Sequence, residues 1–246
     1  MIRVERRDGV AVVHLEHGKV NALDLELLRA ATATVRDLSS ASAVVLTGRG
    51  TTFSAGVDLG RVLDGGPGYV AELIPAIGDA ALALFDHPRP VVAAINGHAI
   101  AGGCVLAVAC DLRLMSRGRI GVTELLVGVP FPTVPLEIVR HAAGTATDEL
   151  VLTGRLVDPE AARECGLVHQ VVAADGLLDE AVRRAGELAR IPGDVYAATK
   201  AQLHRPTRER IAAGAADDER VRAFWQSPEV LAAMRGFLGS LDRRSA

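Results

Sequence analysis

The apolar and polar positions near the start of the chain predict a β-hairpin followed by a helix. Residues 2–7 alternate apolar and charged side chains, residues 10–15 are apolar and mostly β-branched, and an Asp-Gly pair separates them. This arrangement is typical of two strands joined by a tight turn. Between Leu25 and Leu38 the apolar residues recur every three or four positions, which predicts a helix with one buried face, capped by Asp24 or Asn21.

Short apolar runs then alternate with glycine-rich loops and helical segments. Residues 43–47, 91–95 and 111–116 are predicted as strands, the first two of them buried, and glycine-rich loops follow at 48–56 and 96–103. Residues 67–85 are predicted to be helical, a short buried helix opens at Gly102-Gly103, and from about residue 132 the pattern is mostly helical, with amphipathic helices at 177–189 and 217–238. We therefore predict an α/β core over residues 1–190 and a helical C-terminal region over residues 191–246.

Composition narrows the class of protein. The 246 residues are 49% hydrophobic, which suffices for one large core, and the net charge of −3 provides no basic field for nucleic acid. The charged N-terminus has no signal-peptide pattern, and the longest apolar run, 104–110, is too short to span a bilayer. Three cysteines, an odd number without metal-ligand spacing, indicate reduced thiols. We expect a cytoplasmic protein with no metal, no nucleic-acid partner and no membrane association.

Two familiar motifs are incomplete in this chain. Gly48-Arg49-Gly50 follows a predicted strand, but the third glycine of a dinucleotide-binding fingerprint is missing. Ser54 lies in a segment similar to the nucleophile elbow of hydrolases, but six loop residues separate it from the preceding strand, and that elbow requires a direct turn from strand to helix. We interpret Ser54 as a loop hydroxyl that satisfies backbone groups.

A set of segments spread over most of the chain resembles the enoyl-CoA hydratase/isomerase family, also called the crotonase superfamily. The similarity covers about residues 2–240 and rests on seven segments in the family's order: Asn21-Ala22-Leu23, Phe53 to Leu59, Asn96 to Cys104, Cys110-Asp111, Glu124 to Pro130, Thr153-Gly154-Arg155 with Ala161, and Gly166-Leu167-Val168. Two departures are Ala101, at the first of three glycines, and Thr123, in place of a proline.

The resemblance implies a fold and an oxyanion hole. The fold would be a spiral of repeated ββα units followed by a helical trimerisation region, in a homotrimer or dimer of trimers. The backbone N–H groups of Val57 and Gly102 would bind the thioester oxygen of an acyl-CoA substrate, and no cofactor is expected beyond the coenzyme A of that substrate. An acyl-CoA becomes reactive next to its carbonyl when two fixed donors hold the enolate oxygen, and removing one such donor costs about a hundred- to a thousandfold in rate.

The reaction depends on which carboxylates are present. Family hydratases use two glutamates, but here the first position is Val105, and only Glu124 remains at the second. One carboxylate suffices to move a proton from C2 to C4, so we expect a single-glutamate enoyl-CoA isomerase of fatty acid metabolism. A hydratase with a second acid from Asp64 or Glu72, a thioester hydrolase, and a non-catalytic CoA-binding protein remain alternatives.

Other residues are candidates to bind the substrate. Asp58 is expected to tie the loop that carries Val57, Phe131 to line the acyl pocket, and His98 to line or underlie that pocket. Lys19, Arg61 and C-terminal arginines such as Arg235 are candidates to meet CoA phosphates. The full set of predicted substrate- and CoA-binding residues is Lys19, Ala55, Asp58, Leu59, His98, Gly103, Val105 and Phe131.

Overall fold

The structure is a computed structural model that describes the backbone of residues 1–245 and the side chains of residues 1–214 and 216–239. The strands are β1 (Ile2–Arg7), β2 (Val10–Leu15), β3 (Val44–Thr47), β4 (Thr52–Ser54), β5 (Val91–Ile95), β6 (His98–Ile100), β7 (Leu112–Met115), β8 (Ile120–Gly121) and β9 (Gln170–Val171). The helices are α1 (Leu25–Asp37), α2 (Leu59–Phe85), α3 (Gly102–Val108), α4 (Thr133–Ala143), α5 (Thr147–Thr153), α6 (Pro159–Glu164), α7 (Leu177–Leu188), α8 (Gly193–Ala213), α9 (Asp217–Trp225) and α10 (Pro228–Ser245).

A six-stranded sheet forms the centre of the fold, in the order β1-β2-β3-β5-β7-β9. The predicted hairpin is confirmed, because β1 and β2 pair antiparallel, and Asp8 and Gly9 both have positive φ between them. The remaining neighbours in this sheet pair in parallel. Strands β3 and β5 are buried throughout, as their continuous apolar sequences predicted.

A second sheet of three short parallel strands, β4-β6-β8, lies beside the first. Each of its strands follows one strand of the large sheet, and helices α2 and α3 follow the first two pairs. This repetition is the predicted spiral of ββα units. The turns are tightly packed: a Cβ on Gly97 would lie 1.8 Å from the carbonyl oxygen of Thr51, so only glycine fits there.

Apolar clusters cover both faces of the large sheet. Helix α7 packs on one face, where Ala181 and Ala185 join the buried residues of β2, β3 and β5. The other face belongs to the main core with helices α1 to α4. The N-cap of α1 is Asp24, whose side chain accepts a hydrogen bond of 2.8 Å from the Leu27 N–H, while Asn21 hydrogen-bonds other backbone groups.

Helix α2 begins eight residues before the predicted start at residue 67. Asp58 caps it, and the backbone breaks at Gly66, where φ is 62°. By length and composition this helix resembles a membrane-spanning segment, but half of its most apolar 18-residue window is buried inside the fold, which is typical of a core helix.

The C-terminal part is helical as predicted, except for the short strand β9. The pattern over 217–238 suggested a continuous helix, whereas the structure has two, because the chain turns at Gln226 and Ser227 between α9 and α10. The Ser227 hydroxyl accepts from the Val230 N–H at 3.3 Å and so caps the second helix.

Candidate active site

The two glycine-rich segments meet at Gly56 and Gly102. Gly56 has a φ of 83°, a conformation that favours glycine. A Cβ on Gly56 would lie 2.7 Å from the Ile100 carbonyl oxygen and 3.4 Å from the Gly102 nitrogen. The backbone after β4 is therefore in direct contact with the backbone that leads into α3.

Two backbone donors beside this contact have no partner in the described part of the chain. Leu23 hydrogen-bonds to the residues on both sides of Val57. Its N–H donates to the Gly56 oxygen at 2.8 Å, and its carbonyl oxygen accepts from the Asp58 N–H at 3.0 Å, so the Val57 N–H between them is not used. Gly102 is the first residue of α3, a position whose N–H has no acceptor inside its own helix. Among the described residues, with side chains known for 1–214 and 216–239, neither the Val57 nor the Gly102 N–H donates a hydrogen bond.

A cavity of about 410 Å³ opens at these donors. Its walls are mostly apolar and are drawn from both glycine-rich segments, from α2 and α4, and from the C-terminal helices. The lining residues are Ala55, Val57, Leu59, Ile77, Ile100, Ala101, Gly102, Val105, Thr123, Glu124, Leu126, Val127, Val129, Pro132, Pro135, Leu156, Trp225 and Phe237.

Glu124 is the ionisable group of this cavity. It begins the 3-10 turn Glu124–Val127 and is only 8% exposed, and its Oε2 atom is buried without a hydrogen-bond partner among the described residues. Burial raises the pKa of its carboxyl to about 8, although the backbone N–H groups of Thr123 and Glu124 oppose the shift. No other lining side chain in the described part of the chain gains or loses a proton near neutral pH.

The other candidates for a second acid lie elsewhere. Val105 lines the cavity, and its side chain cannot carry a proton. Asp64 and Glu72 are both exposed and neither lines the cavity; Glu72 forms an ion pair of 2.5 Å with Arg29. The structure thus brings one carboxylate, and no second one from the described residues, to the two free backbone donors.

Several predicted residues support the site. Ala55 and Leu59 line the cavity. The Asp58 carboxylate accepts a hydrogen bond of 3.1 Å from the Arg61 N–H, so it fixes the loop that carries Val57 to the start of α2. Gly103 lies behind the cavity wall, where a Cβ would approach the Ser54 carbonyl oxygen to 2.4 Å. Gly103 is therefore a packing position and does not line the cavity.

The predicted cavity positions of His98 and Phe131 are wrong. His98 is exposed, and its Nδ1 accepts from the Arg119 N–H at 3.3 Å, because alternation along β6 turns Ala99 inward and His98 outward. Phe131 packs into the main core, and its neighbours Val129 and Pro132 form the wall in its place.

The basic residues proposed for CoA phosphates lie outside the cavity. Lys19 and Arg235 are exposed. Arg61 is also exposed, forms an ion pair of 2.5 Å with Glu26 and lies over the ring of Tyr69. Their contact with a CoA phosphate stays a prediction.

Ser54 has the backbone role that its sequence context suggested. It is fully buried, and its hydroxyl donates to the Asn21 carbonyl oxygen at 2.7 Å and accepts from the Gly56 N–H at 3.2 Å. It does not line the cavity. These contacts argue against a hydrolase that uses Ser54 as its nucleophile.

Among the lining residues that the sequence did not identify are two aromatic ones, Trp225 of α9 and Phe237 of α10. The Trp225 Nε1–H donates to the Pro130 carbonyl oxygen at 3.0 Å and so ties α9 to the segment that follows Glu124. The amphipathic pattern of this region indicated a buried face, but a sequence pattern does not say which surface that face covers.

The backbone at Ala101 is strained, and we expect Ala101→Gly to stabilise the fold. Ala101 has a φ of 51° and a ψ of −123°, a region in which a side chain costs on the order of 1–3 kcal/mol. Glycine relieves that strain but loses more freedom on folding, so the expected net gain is about 1 kcal/mol, or roughly 2–4 °C in thermal unfolding. Ala99→Gly in the neighbouring strand, where the backbone is unstrained, should destabilise; equal shifts in both variants would argue against strain at Ala101.

Comparison with known proteins shows which family the chain is similar to. The family model described as Enoyl-CoA hydratase/isomerase matches residues 5–243. A putative enoyl-CoA hydratase of Thermus thermophilus is 37% identical over 198 residues, covering 77% of this chain and 78% of the relative. The human mitochondrial enoyl-CoA delta isomerase 1 is 31% identical, covering 82% of this chain and 70% of the relative.

Among solved structures, human mitochondrial delta3-delta2-enoyl-CoA isomerase superposes with a TM-score of 0.94 at 28% identity, covering 100% of this chain and 99% of that one. The repeated ββα units and the cavity between their loops thus define a crotonase-fold protein. The chain belongs to the enoyl-CoA hydratase/isomerase family.

Proposed function

We propose that this protein is an enoyl-CoA isomerase that moves the double bond of a 3-enoyl-CoA into conjugation with the thioester. One observation carries the proposal: a single buried carboxylate, that of Glu124, lines the same apolar cavity as the unpaired Val57 and Gly102 N–H groups. The similarity to a solved delta3-delta2-enoyl-CoA isomerase supports it.

In the proposed reaction, Glu124 removes a proton from C2, and the electron pair of that C–H bond moves toward the thioester carbonyl. The resulting enolate oxygen carries negative charge and accepts hydrogen bonds from the Val57 and Gly102 N–H groups. Glu124 then returns the proton at C4, so that the C3–C4 double bond becomes a C2–C3 double bond. Fixed donors in a site of low polarity need no solvent reorganisation during this step.

A raised pKa suits a group that must both take and return a proton. A carboxylate with an ordinary pKa is a weak base toward carbon, whereas burial brings the pKa of Glu124 to about 8. At Gly102 the partial positive charge of a helix N-terminus adds to the backbone donor.

The pH dependence of isomerisation follows from this pKa. Because Glu124 acts as a base, only its ionised form starts the reaction, and that form is the minor one below about pH 8. We expect kcat/KM for 3-enoyl-CoA to rise about tenfold per pH unit below pH 8 and to level off above it. A profile that is already flat between pH 5 and 8 would show that Glu124 titrates at its ordinary pKa or is not the base.

The decisive experiment incubates the protein separately with 3-enoyl-CoA and 2-enoyl-CoA and follows the products by mass and by conjugated-thioester absorbance. The proposal expects conversion of 3-enoyl-CoA to the conjugated isomer with no change in mass. A gain of one water from 2-enoyl-CoA, with no double-bond shift, identifies a hydratase, which the name of the Thermus relative favours. Release of free CoA identifies a hydrolase, and no reaction identifies a binding protein.

The proposal includes a role in fatty acid metabolism, a cytoplasmic location, no cofactor beyond the coenzyme A of the substrate, and a homotrimer or dimer of trimers in solution. Light scattering at micromolar concentration tests the assembly, and a monomer would contradict that part alone. The chemistry assigned to Glu124, Val57 and Gly102 uses residues of one chain.

A further inference from the structure

A second cavity, of about 320 Å³, lies among the end of α3, the start of β7, α4 and α8. It shares no lining residue with the cavity that holds Glu124. Its walls include three charged side chains: Asp111, Arg113 and Lys200. Exposed Thr199 and 66%-exposed Leu203 border it, so the cavity is open to solvent at α8.

Asp111 is the carboxylate of this second cavity, and it already has several partners. One of its oxygens lies 2.7 Å from the Lys200 ammonium, and the other accepts from the Val91 N–H at 2.8 Å. Burial, together with the nearby Asp111 carboxylate, raises the pKa of the Tyr196 hydroxyl. Asp111 therefore compensates one positive charge at most.

Arg113 supplies a second positive charge, and no described carboxylate forms an ion pair with it. Arg113 is only 6% exposed. Its guanidinium donates hydrogen bonds of 2.9–3.1 Å to the carbonyl oxygens of Leu167, Cys110 and Gly166. It forms no ion pair with any of the side chains that the structure describes, 1–214 and 216–239. Burial lowers its pKa only to about 10, so it remains charged at neutral pH.

The histidines of the second cavity add no charge to its lining at neutral pH. Burial lowers the pKa of His141, and lowers the pKa of His204 to about 3, so both rings are uncharged at neutral pH. Among the lining side chains, Arg113 and Lys200 against Asp111 leave one positive charge in excess. The Asp86 carboxylate also interacts with Lys200 electrostatically, but it lies outside the cavity lining and pairs with Arg208 at 3.3 Å. Buried charge is costly unless it is compensated.

Two buried polar groups of the second cavity have unused hydrogen-bonding capacity. Lys200 is 7% exposed, and its ammonium, although close to Asp111, makes no hydrogen bond of acceptable geometry within the described residues. His204 is 9% exposed, stacks on Phe85 with ring centroids 3.7 Å apart, and has an unpartnered Nδ1 atom. An ammonium has three donors, and Asp111 is its one charged neighbour within ion-pair distance among the described side chains, so any further partner of Lys200 must be an acceptor.

We propose that the second cavity is a binding site for a small anion, a carboxylate or a phosphate, with Lys200 as its principal contact. Such an anion would neutralise the excess positive charge and accept from the Lys200 ammonium. The apolar side chains of Phe85 and Leu203 would contact the rest of a small organic acid. Nothing in this proposal depends on the reaction assigned to Glu124.

The test uses the native protein, because Lys19 and Lys200 are the only lysines in the sequence. Formaldehyde and cyanoborohydride methylate both, and peptide mass spectrometry reports each rate, with exposed Lys19 as the internal control. Inorganic phosphate and acetate are titrated separately at constant ionic strength set by chloride. We expect the anion to slow the methylation of Lys200 in a saturable way, by about tenfold when its concentration is about ten times the dissociation constant. The methylation rate of Lys19 should stay unchanged. The anion that protects at the lower concentration identifies the preferred chemistry.

Lys200→Met and Lys19→Met give a second measurement. The protecting anion should raise the thermal unfolding temperature of the native protein and of Lys19→Met by about 3 °C, and should not raise that of Lys200→Met. Equal slowing of both lysines, no protection by either anion, or protection of Lys200 that follows protein concentration would overturn the proposal. The last result would show that a second copy of the chain covers the cavity.

Discussion

Glu124→Gln is expected to lower the turnover of 3-enoyl-CoA by about a hundred- to ten-thousandfold while acyl-CoA binding is retained. Glutamine has nearly the same shape as glutamate but cannot take a proton from C2. Because burial keeps the Glu124 carboxyl protonated over much of the neutral range, a neutral amide should be tolerated in the fold. Steady-state kinetics and calorimetric titration with a saturated acyl-CoA separate the two effects.

Glu72→Gln is the matched control for the same change at an exposed glutamate. Its carboxylate is paired with Arg29 and lies outside the cavity, so we expect turnover within about twofold of the native protein. If Glu72→Gln lost as much activity as Glu124→Gln, a second acid would act in the reaction and the single-carboxylate mechanism would be wrong. Unchanged turnover in Glu124→Gln would remove this residue from the mechanism.

Val57→Pro is expected to lower kcat by about a hundred- to a thousandfold, because proline has no N–H to donate to the enolate oxygen. The backbone bonds around this residue use the Gly56 oxygen and the Asp58 N–H, and neither is removed by the substitution. Circular dichroism and thermal unfolding should therefore show a folded protein. The rate loss is measured with 3-enoyl-CoA at saturation.

Val57→Ala controls for the lost side chain, since alanine keeps the N–H and should remain within a few-fold of the native kcat. The decisive quantity is the kcat of the alanine variant divided by the kcat of the proline variant. A ratio below about five, with both proteins folded, would mean that the Val57 N–H does not stabilise charge in the transition state.

Local sequence signals were sufficient for much of the large sheet. The hairpin, the buried strands β3 and β5 and the Asp24 cap depend on neighbouring residues, whose alternation, apolar runs and capping chemistry are visible in the sequence. The short strands β4 and β6 lay inside predicted loops. Each has only three residues, and the two strands pair with each other although they lie more than forty positions apart in the sequence. A pattern of neighbouring residues cannot predict such a pairing.

The sequence predicted those site residues whose position depends on the backbone path of a recognisable motif. Val57, Gly102 and Glu124 were assigned by resemblance to family segments, and the structure places all three on one cavity. His98 and Phe131 were assigned by nearness in sequence to that motif, but strand alternation and core packing decide which way a side chain points. Trp225 and Phe237 come from helices whose docking surface depends on the whole fold.

The span of the cavity wall, from Ala55 to Phe237, has a consequence for synthesis of the protein on the ribosome. Strands β1 to β7 can emerge and pair early, yet the pocket has no complete wall until α10 has left the exit tunnel and packed. A nascent chain that lacks α10 would therefore leave the Glu124 site open to water, and the burial that raises the pKa of this carboxyl would be complete only after α10 packs.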